Sequence, residues 1–243
     1  MTDKSDRITI YAAAALFNAR ENFFNSRLVG GLEGLGYKVY SPQRDGFEVE
    51  SLKEILSGKV KKGSVDTAAK KIIYCLDVGG FIPKSDIVIA NFDEPIDEGV
   101  SVESLYARWM GKFVIGLRSD IRSPYGELGG HLMGMHAFPA YQCSLFISYK
   151  MQSKTFEDGK EQINSLVHKI NQIISDRNTR HSPEVSRYVK QNETIKSVFE
   201  GAHILFDGVR DIHSKKSLEK IASRYIKNKE AFEKIGPKKI VIG

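Results

Sequence analysis

Apolar runs and segments of helical period alternate along the first part of the chain. An apolar stretch from Ile8 to Leu16, interrupted only by Thr9, predicts a buried strand, and the segment after it carries apolar side chains at helical spacing as far as Gly36. The short strand "YKVYSP" then ends at Pro42. A strand, a helix and a second strand in this order are typical of a parallel sheet covered by helices.

The alternation continues to about residue 150. Residues 47–77 carry two helical patterns, "SDIVIANF" is an apolar run of the buried parallel kind, and a helix is predicted from Ser101 to Met110. The strands "KFVIGL" and "QCSLFISY" follow. We therefore predict an α/β fold with an open, mainly parallel five-stranded sheet and helices on both faces, Rossmann-like or flavodoxin-like. Ligands of such sheets bind beyond the carboxyl ends of the strands.

After residue 150 the pattern becomes helical and more polar. "FEDGKEQINSLVHKINQII" is an amphipathic helix that can pack on the sheet, residues 176–183 are polar and linker-like, and at least two helical patterns follow. We predict an α/β domain over residues 1–150 and a helical C-terminal extension over residues 151–243. Packing or oligomerisation is the expected role of this extension.

Composition and charge narrow the class of protein. Hydrophobic residues make up 41% and charged residues 27%, which is typical of a soluble globular protein, and the formal net charge is +6. The basic clusters "KVKK" and "GPKK" lack interleaved aromatic residues, so no nucleic-acid partner is predicted. No segment has the apolar length of about 20 residues that crosses a bilayer. Without an apolar signal core in "MTDKSDR", we expect a cytoplasmic protein with no membrane partner.

The two cysteines, Cys75 and Cys143, both lie in apolar runs. They are too few for a disulfide framework, so we predict buried free thiols and a reducing compartment.

Several acidic residues follow the run "SDIVIANF" and lead into the next helix. If that helix starts near Ser101, its N-terminus and the preceding loop face the same crevice, and Asp97 and Glu103 are the acids expected to share it. An anion there gains about 0.3–1 kcal/mol from the helix dipole. Ordinary capping of the helix start is the alternative that this spacing leaves open.

The segment "DEGVSVESLYARWMGKFVIGL" resembles the signature of the nucleoside 2-deoxyribosyltransferase family, D-x-G-T-x-x-E-x-G-Y-A-x-x-x-G-K-P-V-I. "IYAAAALF" likewise resembles the first strand of the family, I-Y-L-A-G-P-L-F, and the resemblance covers roughly residues 7–150. The signature positions that fall in register are Asp97, Gly99, Glu103, Tyr106, Ala107, Gly111, Lys112, Val114 and Ile115.

This resemblance implies a retaining displacement in two steps. Glu103 would attack the anomeric carbon of a deoxynucleoside through an oxocarbenium-like transition state and form a glycosyl-enzyme. Tyr11, at the end of the first strand, would hold the ionised Glu103 by a hydrogen bond, and Asp97 would contact the departing base. The acids that match nothing in the signature are interpreted as solvated loop charges; they are Asp93, Glu94 and Glu98.

The resemblance also implies substrate-binding residues and an oligomer. Asp77 would be a second base-binding acid, and Gly99 and Phe17 occupy motif positions beside the substrate. His131 and Met133 resemble a segment that a neighbouring subunit lends to the pocket, so we expect a homo-oligomer, either a dimer or a larger assembly. The partners would be a deoxynucleoside and a nucleobase in nucleotide metabolism such as purine salvage, and no metal or other cofactor is expected.

Departures from the family pattern concern the substrate more than the fold. Val100 replaces a threonine, Leu105 replaces a glycine, and the loop after the first strand offers only Arg20 to a phosphate, which favours an unphosphorylated nucleoside. Three hypotheses stay open: a deoxyribosyl transferase, an N-glycoside hydrolase that uses water on a deoxynucleoside or deoxynucleotide, and a non-catalytic nucleotide-sensing module.

Overall fold

The computed structural model describes residues 7–126, 134–176 and 191–236. In these ranges the strands are β1 (Thr9–Ala13), β2 (Lys38–Tyr40), β3 (Ile87–Asn91), β4 (Phe113–Arg118) and β5 (Leu145–Ser148). They form one five-stranded sheet in the order β2-β1-β3-β4-β5, and every neighbouring pair is parallel. The predicted open parallel α/β sheet is confirmed.

The helices alternate with these strands and then continue without them. They are α1 (Ala19–Gly34), α2 (Pro42–Asp45), α3 (Val49–Ser57), α4 (Val65–Leu76), α5 (Ile82–Lys84), α6 (Glu98–Trp109), α7 (Ala137–Ala140), α8 (Phe156–Asp176), α9 (Glu193–Phe206), α10 (Lys215–Lys227) and α11 (Lys229–Glu233). A 3-10 turn, Lys62–Ser64, precedes α4, and a π-helical turn, Asp77–Phe81, follows it. None of the helices in the described ranges is long and apolar enough to cross a membrane.

The described residues form two compact units. The sheet unit contains residues 7–45, 82–126 and 134–176, and the helical unit contains residues 46–81 and 191–236. This division differs from the predicted boundary between residues 150 and 151, since α8 belongs to the sheet unit while α3 and α4 belong to the helical unit.

One face of the sheet packs against α1 and α8. Its buried core combines side chains from the four strands β1 to β4 with an apolar stripe on each helix, including Leu28 and Leu32 of α1 and Leu166 and Ile170 of α8. The two helices approach closely at Gly31, where a Cβ would lie 2.8 Å from Cγ2 of Val167. This packing is why α8 belongs to the sheet unit.

The opposite face of the sheet packs against α6, which crosses β1, β3 and β4. Tyr11, Val88 and Val114 lie side by side on neighbouring strands, and all three are fully buried. Because alternate residues of a strand point to opposite faces, this row is on the side away from the α1 and α8 core. The α6 side chains therefore reach the middle of the sheet.

The helical unit is held by close contacts between its early and late segments. A Cβ at Gly79 would lie 2.8 Å from the carbonyl oxygen of Val198, so the turn after α4 packs directly on α9. The last helical segment is divided into α10 and α11, because the backbone leaves helical geometry at Asn228. The Asn228 amide donates to the carbonyl of Arg224 and so terminates α10.

The two cysteines are free thiols. Cys75 is buried and Cys143 is half-buried, and burial raises the pKa of each to about 12. Neither thiol is activated for nucleophilic chemistry, since only the thiolate reacts.

Candidate active site

The N-terminus of α6 is capped by Asp97, whose Oδ1 accepts a hydrogen bond of 2.9 Å from the backbone N–H of Val100. The helix therefore begins at Glu98, ahead of the predicted start near Ser101. Glu103 consequently lies in the second turn of α6 rather than the first. The helix dipole acts within the first turn, so the gain of about 0.3–1 kcal/mol expected from it does not extend to Glu103.

Gly99 makes this cap possible. A Cβ at this position would lie 2.8 Å from Oδ1 of Asp97, closer than real Cβ atoms approach. The glycine predicted to bind substrate therefore also has a local structural reason: any side chain here would push the Asp97 carboxylate from its position.

Tyr11 and Glu103 meet between the sheet and α6. The Tyr11 hydroxyl donates a hydrogen bond of 2.9 Å to Oε1 of Glu103, joining residues 92 positions apart in the chain. Tyr11 is fully buried and Glu103 is half-buried. The predicted place of Tyr11 at the end of the first strand was wrong, because the pairing of β1 with β3 continues to Ala13 and leaves Tyr11 in mid-strand.

Asp93 joins the loops that follow β3 and β4. Its carboxylate accepts hydrogen bonds of 2.6 Å from both the backbone N–H and the hydroxyl of Ser119, and one of 3.0 Å from the N–H of Asp120. The interpretation of Asp93 as a solvated charge was therefore wrong. This carboxylate fixes the loop that carries Asp97 into α6.

A buried arginine completes the same network. The Arg118 side chain is 1% exposed; its Nε lies 3.1 Å from Oδ1 of Asp120 and its Nη2 lies 3.7 Å from Oε1 of Glu94. Nη2 also donates to the carbonyl of Arg122. The Glu94 side chain is only 16% exposed, so it is not a solvated charge either, whereas Glu98 is exposed as predicted. Sequence reasoning missed Arg118, whose only signal was a charge at the end of an apolar strand.

The sequence model of the nucleoside 2-deoxyribosyltransferase family matches residues 10–169, more than half of the chain. The matched range contains β3, α6 and all of β1 except its first residue, and thus both Tyr11 and Glu103. The chain belongs to the nucleoside 2-deoxyribosyltransferase family. This membership confirms the resemblance found in the two motifs.

Solved structures with a similar fold are more distant. A CMP N-glycosidase, BcmB, from Clostridium botulinum is 19% identical, with a TM-score of 0.37, and the alignment covers 67% of this chain and 98% of that chain. A conserved protein from Enterococcus faecalis V583 is 20% identical, with a TM-score of 0.38, and the alignment covers 66% of this chain and 99% of that chain. The sugar isomerase domain of an RpiR transcription factor from Sphaerobacter thermophilus is 11% identical, with a TM-score of 0.35, and the alignment covers 70% of this chain and 73% of that chain. Similarity at this level assigns no function to the chain, and no curated protein matches it.

Part of the family signature serves the fold rather than the chemistry. Gly111 has a positive φ of 76° and follows the end of α6. The ammonium group of Lys112 donates a hydrogen bond of 2.8 Å to the carbonyl of Pro83, and burial lowers the pKa of this lysine. These two positions of the deoxyribosyltransferase signature anchor the turn between α6 and β4.

The remaining predicted substrate-binding residues are spread over the chain. Phe17 is 78% exposed in the loop between β1 and α1, where its backbone N–H donates to Oε2 of Glu21. His131 and Met133 lie outside the described residues.

Asp77 begins the π-helical turn of the helical unit. Its Oδ1 is buried and accepts no hydrogen bond from the part of the chain that the structure describes, and burial raises the pKa of this carboxyl to about 7. At neutral pH the group therefore exists in both protonation states. A carboxyl in this state can donate or accept a hydrogen bond, and its contact with a base stays a prediction.

A cavity of about 400 Å³ opens at the carboxyl ends of the strands, within the range of ligand pockets. Its lining includes the acidic residues Asp93, Glu94 and Asp120, together with Arg20, Asn91, Ser119, Arg122 and Met151. Neither Tyr11 nor Glu103 lines this cavity. It gives the sheet unit a polar, mixed-charge opening at the edge where ligands of open α/β sheets bind.

Within residues 7–126, 134–176 and 191–236, no three His, Cys, Asp or Glu side chains are grouped so that they could hold a metal ion. His136, which directly precedes α7, accepts a hydrogen bond of 3.2 Å from the N–H of Phe138 through Nδ1. Its role in the structure is to cap α7.

Proposed function

We propose that the chain cleaves the N-glycosidic bond of a 2′-deoxynucleoside through a covalent intermediate on Glu103 and transfers the deoxyribose to another base. Membership of the family supports an enzyme that acts on nucleosides. The observation that carries the proposal is the 2.9 Å hydrogen bond from the buried Tyr11 hydroxyl to Glu103. A carboxylate oriented in this way suits a nucleophile better than a merely solvated residue.

In the first step the Glu103 carboxylate attacks C1′ while the bond from C1′ to the base nitrogen breaks. The electron pair of that bond moves onto the base, and positive charge develops on the sugar opposite the carboxylate. Tyr11 holds Oε1 and thereby orients the nucleophile. The product of this step is a glycosyl ester on Glu103.

Asp97 transfers a proton to and from the base. Its Oδ1 is engaged in the helix cap, and its other carboxyl oxygen accepts no hydrogen bond from the described residues. Asp97 enters the reaction protonated on that second oxygen, which donates this proton to a ring nitrogen of the departing base as the bond to C1′ breaks, leaving Asp97 as a carboxylate. In the second step an incoming base attacks C1′ from the opposite side, passes its proton back to Asp97 and releases Glu103 as a carboxylate. The configuration at C1′ is retained.

The proposed homo-oligomer belongs to the same hypothesis, because the family resemblance implies a pocket completed by a neighbouring subunit. Sedimentation analysis of the full chain tests it directly. A strictly monomeric enzyme with full turnover would remove this part of the proposal.

The decisive experiment follows radiolabelled adenine in the presence of unlabelled deoxynucleosides under single-turnover conditions. Transfer predicts that label enters the nucleoside pool. If free deoxyribose accumulates while label never enters that pool, water is the acceptor and the enzyme is a hydrolase.

Two variants on the same helix separate catalysis from binding. Glu103→Gln should abolish turnover while deoxynucleoside binding survives. Glu98→Gln is the matched control, because Glu98 is exposed on the same helix and its replacement removes the same charge. Unchanged turnover in Glu103→Gln would favour the sensing module or move the chemistry to another residue.

A further inference from the structure

The helical unit contains a second cavity of about 360 Å³. It lies between the chain after α3, the start of α4, the end of α10 and α11. The charged groups that line it are four lysines and one glutamate: Lys59, Lys61, Lys71, Lys229 and Glu233. We refer to it as the lysine cavity.

Three of these lysines are available to a ligand. Lys59, Lys61 and Lys229 are exposed, and no carboxylate among the described residues lies within ion-pair distance of their ammonium groups. Lys71 differs, because it is half-buried and its ammonium group donates a hydrogen bond of 2.5 Å to the carbonyl of Phe232. Like charges gathered around one opening repel each other, and a bound anion would relieve that repulsion.

The floor of the lysine cavity is apolar, and its rim carries hydroxyl groups. Ala68, Tyr225 and Phe232 are buried beneath it, and the two aromatic rings lie 4.7 Å apart between centroids. Ser64 and Thr67 add hydroxyl groups at the exposed side. Hydroxyl and ammonium donors around an apolar floor suit a ligand that combines several anionic oxygens with an apolar body.

We propose that the lysine cavity binds an oligophosphate group of the kind that a nucleoside di- or triphosphate carries. The phosphate oxygens pair with Lys59, Lys61 and Lys229 while the nucleoside covers the apolar floor. The volume suits a single small ligand rather than a long polymer. The site is independent of the proposed transfer reaction, because it uses no residue assigned to that reaction.

Calorimetric titration of the full-length protein tests the site with three probes: inorganic tripolyphosphate, deoxyadenosine triphosphate and deoxyadenosine. Tripolyphosphate has neither sugar nor base, so its binding does not depend on a nucleoside pocket. A cavity variant combines Lys59→Gln, Lys61→Gln and Lys229→Gln. A matched control variant removes the same charge from exposed lysines at the start and middle of α10, outside the cavity, through Lys215→Gln, Lys216→Gln and Lys220→Gln.

We expect tripolyphosphate and the nucleoside triphosphate to bind the wild type. The cavity variant should lose at least about tenfold in affinity for both probes, because three ion pairs are removed together. The control variant should lose less than about twofold, since its charges are screened from the site. Deoxyadenosine binding should be the same in all three proteins.

Three outcomes would overturn the proposal. The first is no tripolyphosphate binding by the wild type. The second is an equal loss in both variants, which would mean only general electrostatic attraction. The third is that a single-stranded oligodeoxynucleotide binds far more tightly than the nucleoside triphosphate and needs the same lysines, which would make this a nucleic-acid surface.

Discussion

Replacing Tyr11 by phenylalanine removes one hydroxyl from the centre of the proposed site. The aromatic ring is fully buried between the sheet and α6, so phenylalanine keeps its packing. What disappears is the 2.9 Å hydrogen bond to Oε1 of Glu103. The two chemical steps should respond differently, because Glu103 is a carboxylate at the start of the first step and a neutral ester at the start of the second.

The size of the effect follows from this change of charge. A hydrogen bond to a charged group contributes about 1.5–3 kcal/mol, against about 0.5–1.5 kcal/mol for a neutral pair. The Tyr11 bond therefore gains about 1–1.5 kcal/mol as Glu103 leaves the sugar in the second step. Losing that gain should slow the release of the glycosyl-enzyme by roughly 5- to 15-fold. The first step begins and passes its transition state with a charged carboxylate, so it should slow less.

The assay is rapid quenching followed by mass spectrometry of the intact protein. Tyr11→Phe should accumulate the glycosyl-enzyme, while the wild type holds less of it at steady state. Tyr37→Phe is the matched control, because its buried hydroxyl donates a 2.7 Å hydrogen bond to Asn171 on the other face of the sheet. If Tyr11→Phe and Tyr37→Phe give the same turnover and the same amount of intermediate, the reasoning about Tyr11 is refuted.

Three further predictions concern the cap, a buried carboxyl and the buried arginine. Asp97→Ala should lose about 1 kcal/mol of stability in thermal unfolding, because the helix cap is removed. Asp97→Asn keeps a cap acceptor and should keep that stability, yet it should lose turnover. Full turnover in Asp97→Asn would contradict the role of Asp97 as a proton donor. Burial raises the pKa of Asp77 from 3.8 to about 7, so the folded protein binds the extra proton and stability falls as pH rises through that range. Asp77→Asn should therefore gain about 2–3 kcal/mol relative to wild type in urea unfolding between about pH 5 and about pH 8, and a constant difference would contradict the shift. Arg118→Met should cost about 3–5 kcal/mol of unfolding free energy, because it removes the ion pair of Glu94 and leaves Asp120 with Arg122 alone. The exposed Arg122→Met should cost under about 1 kcal/mol, and similar unfolding midpoints for the two variants would contradict a buried network.

Much of the sheet unit could be predicted from local pattern. Continuous apolar runs identify β3 and β4, because a strand covered on both faces has no polar alternation. Helical spacing and Gly36, with its positive φ of 96°, identify α1 and its end. The two sequence motifs by themselves identify Tyr11 and Glu103 as candidate site residues.

The start of α6 could not be read from the sequence. Asp97 and Ser101 both have cap-forming side chains, and composition does not say which one accepts a backbone hydrogen bond. Only the tertiary structure places the Asp97 carboxylate over the N–H of Val100, with Gly99 giving it room. The turn in which Glu103 lies depends on that choice.

The sequence by itself determined the order of strands and helices and the motif residues, because those features depend on side-chain spacing over a few turns. Only the tertiary structure decided that Arg118 is buried among carboxylates, since arginine is normally exposed unless it is paired. The same holds for the joining of residues 46–81 with residues 191–236 in one helical unit. Hydrophobic periodicity shows which face of a helix will be buried, but the partner that buries it is set by packing between segments far apart in the chain.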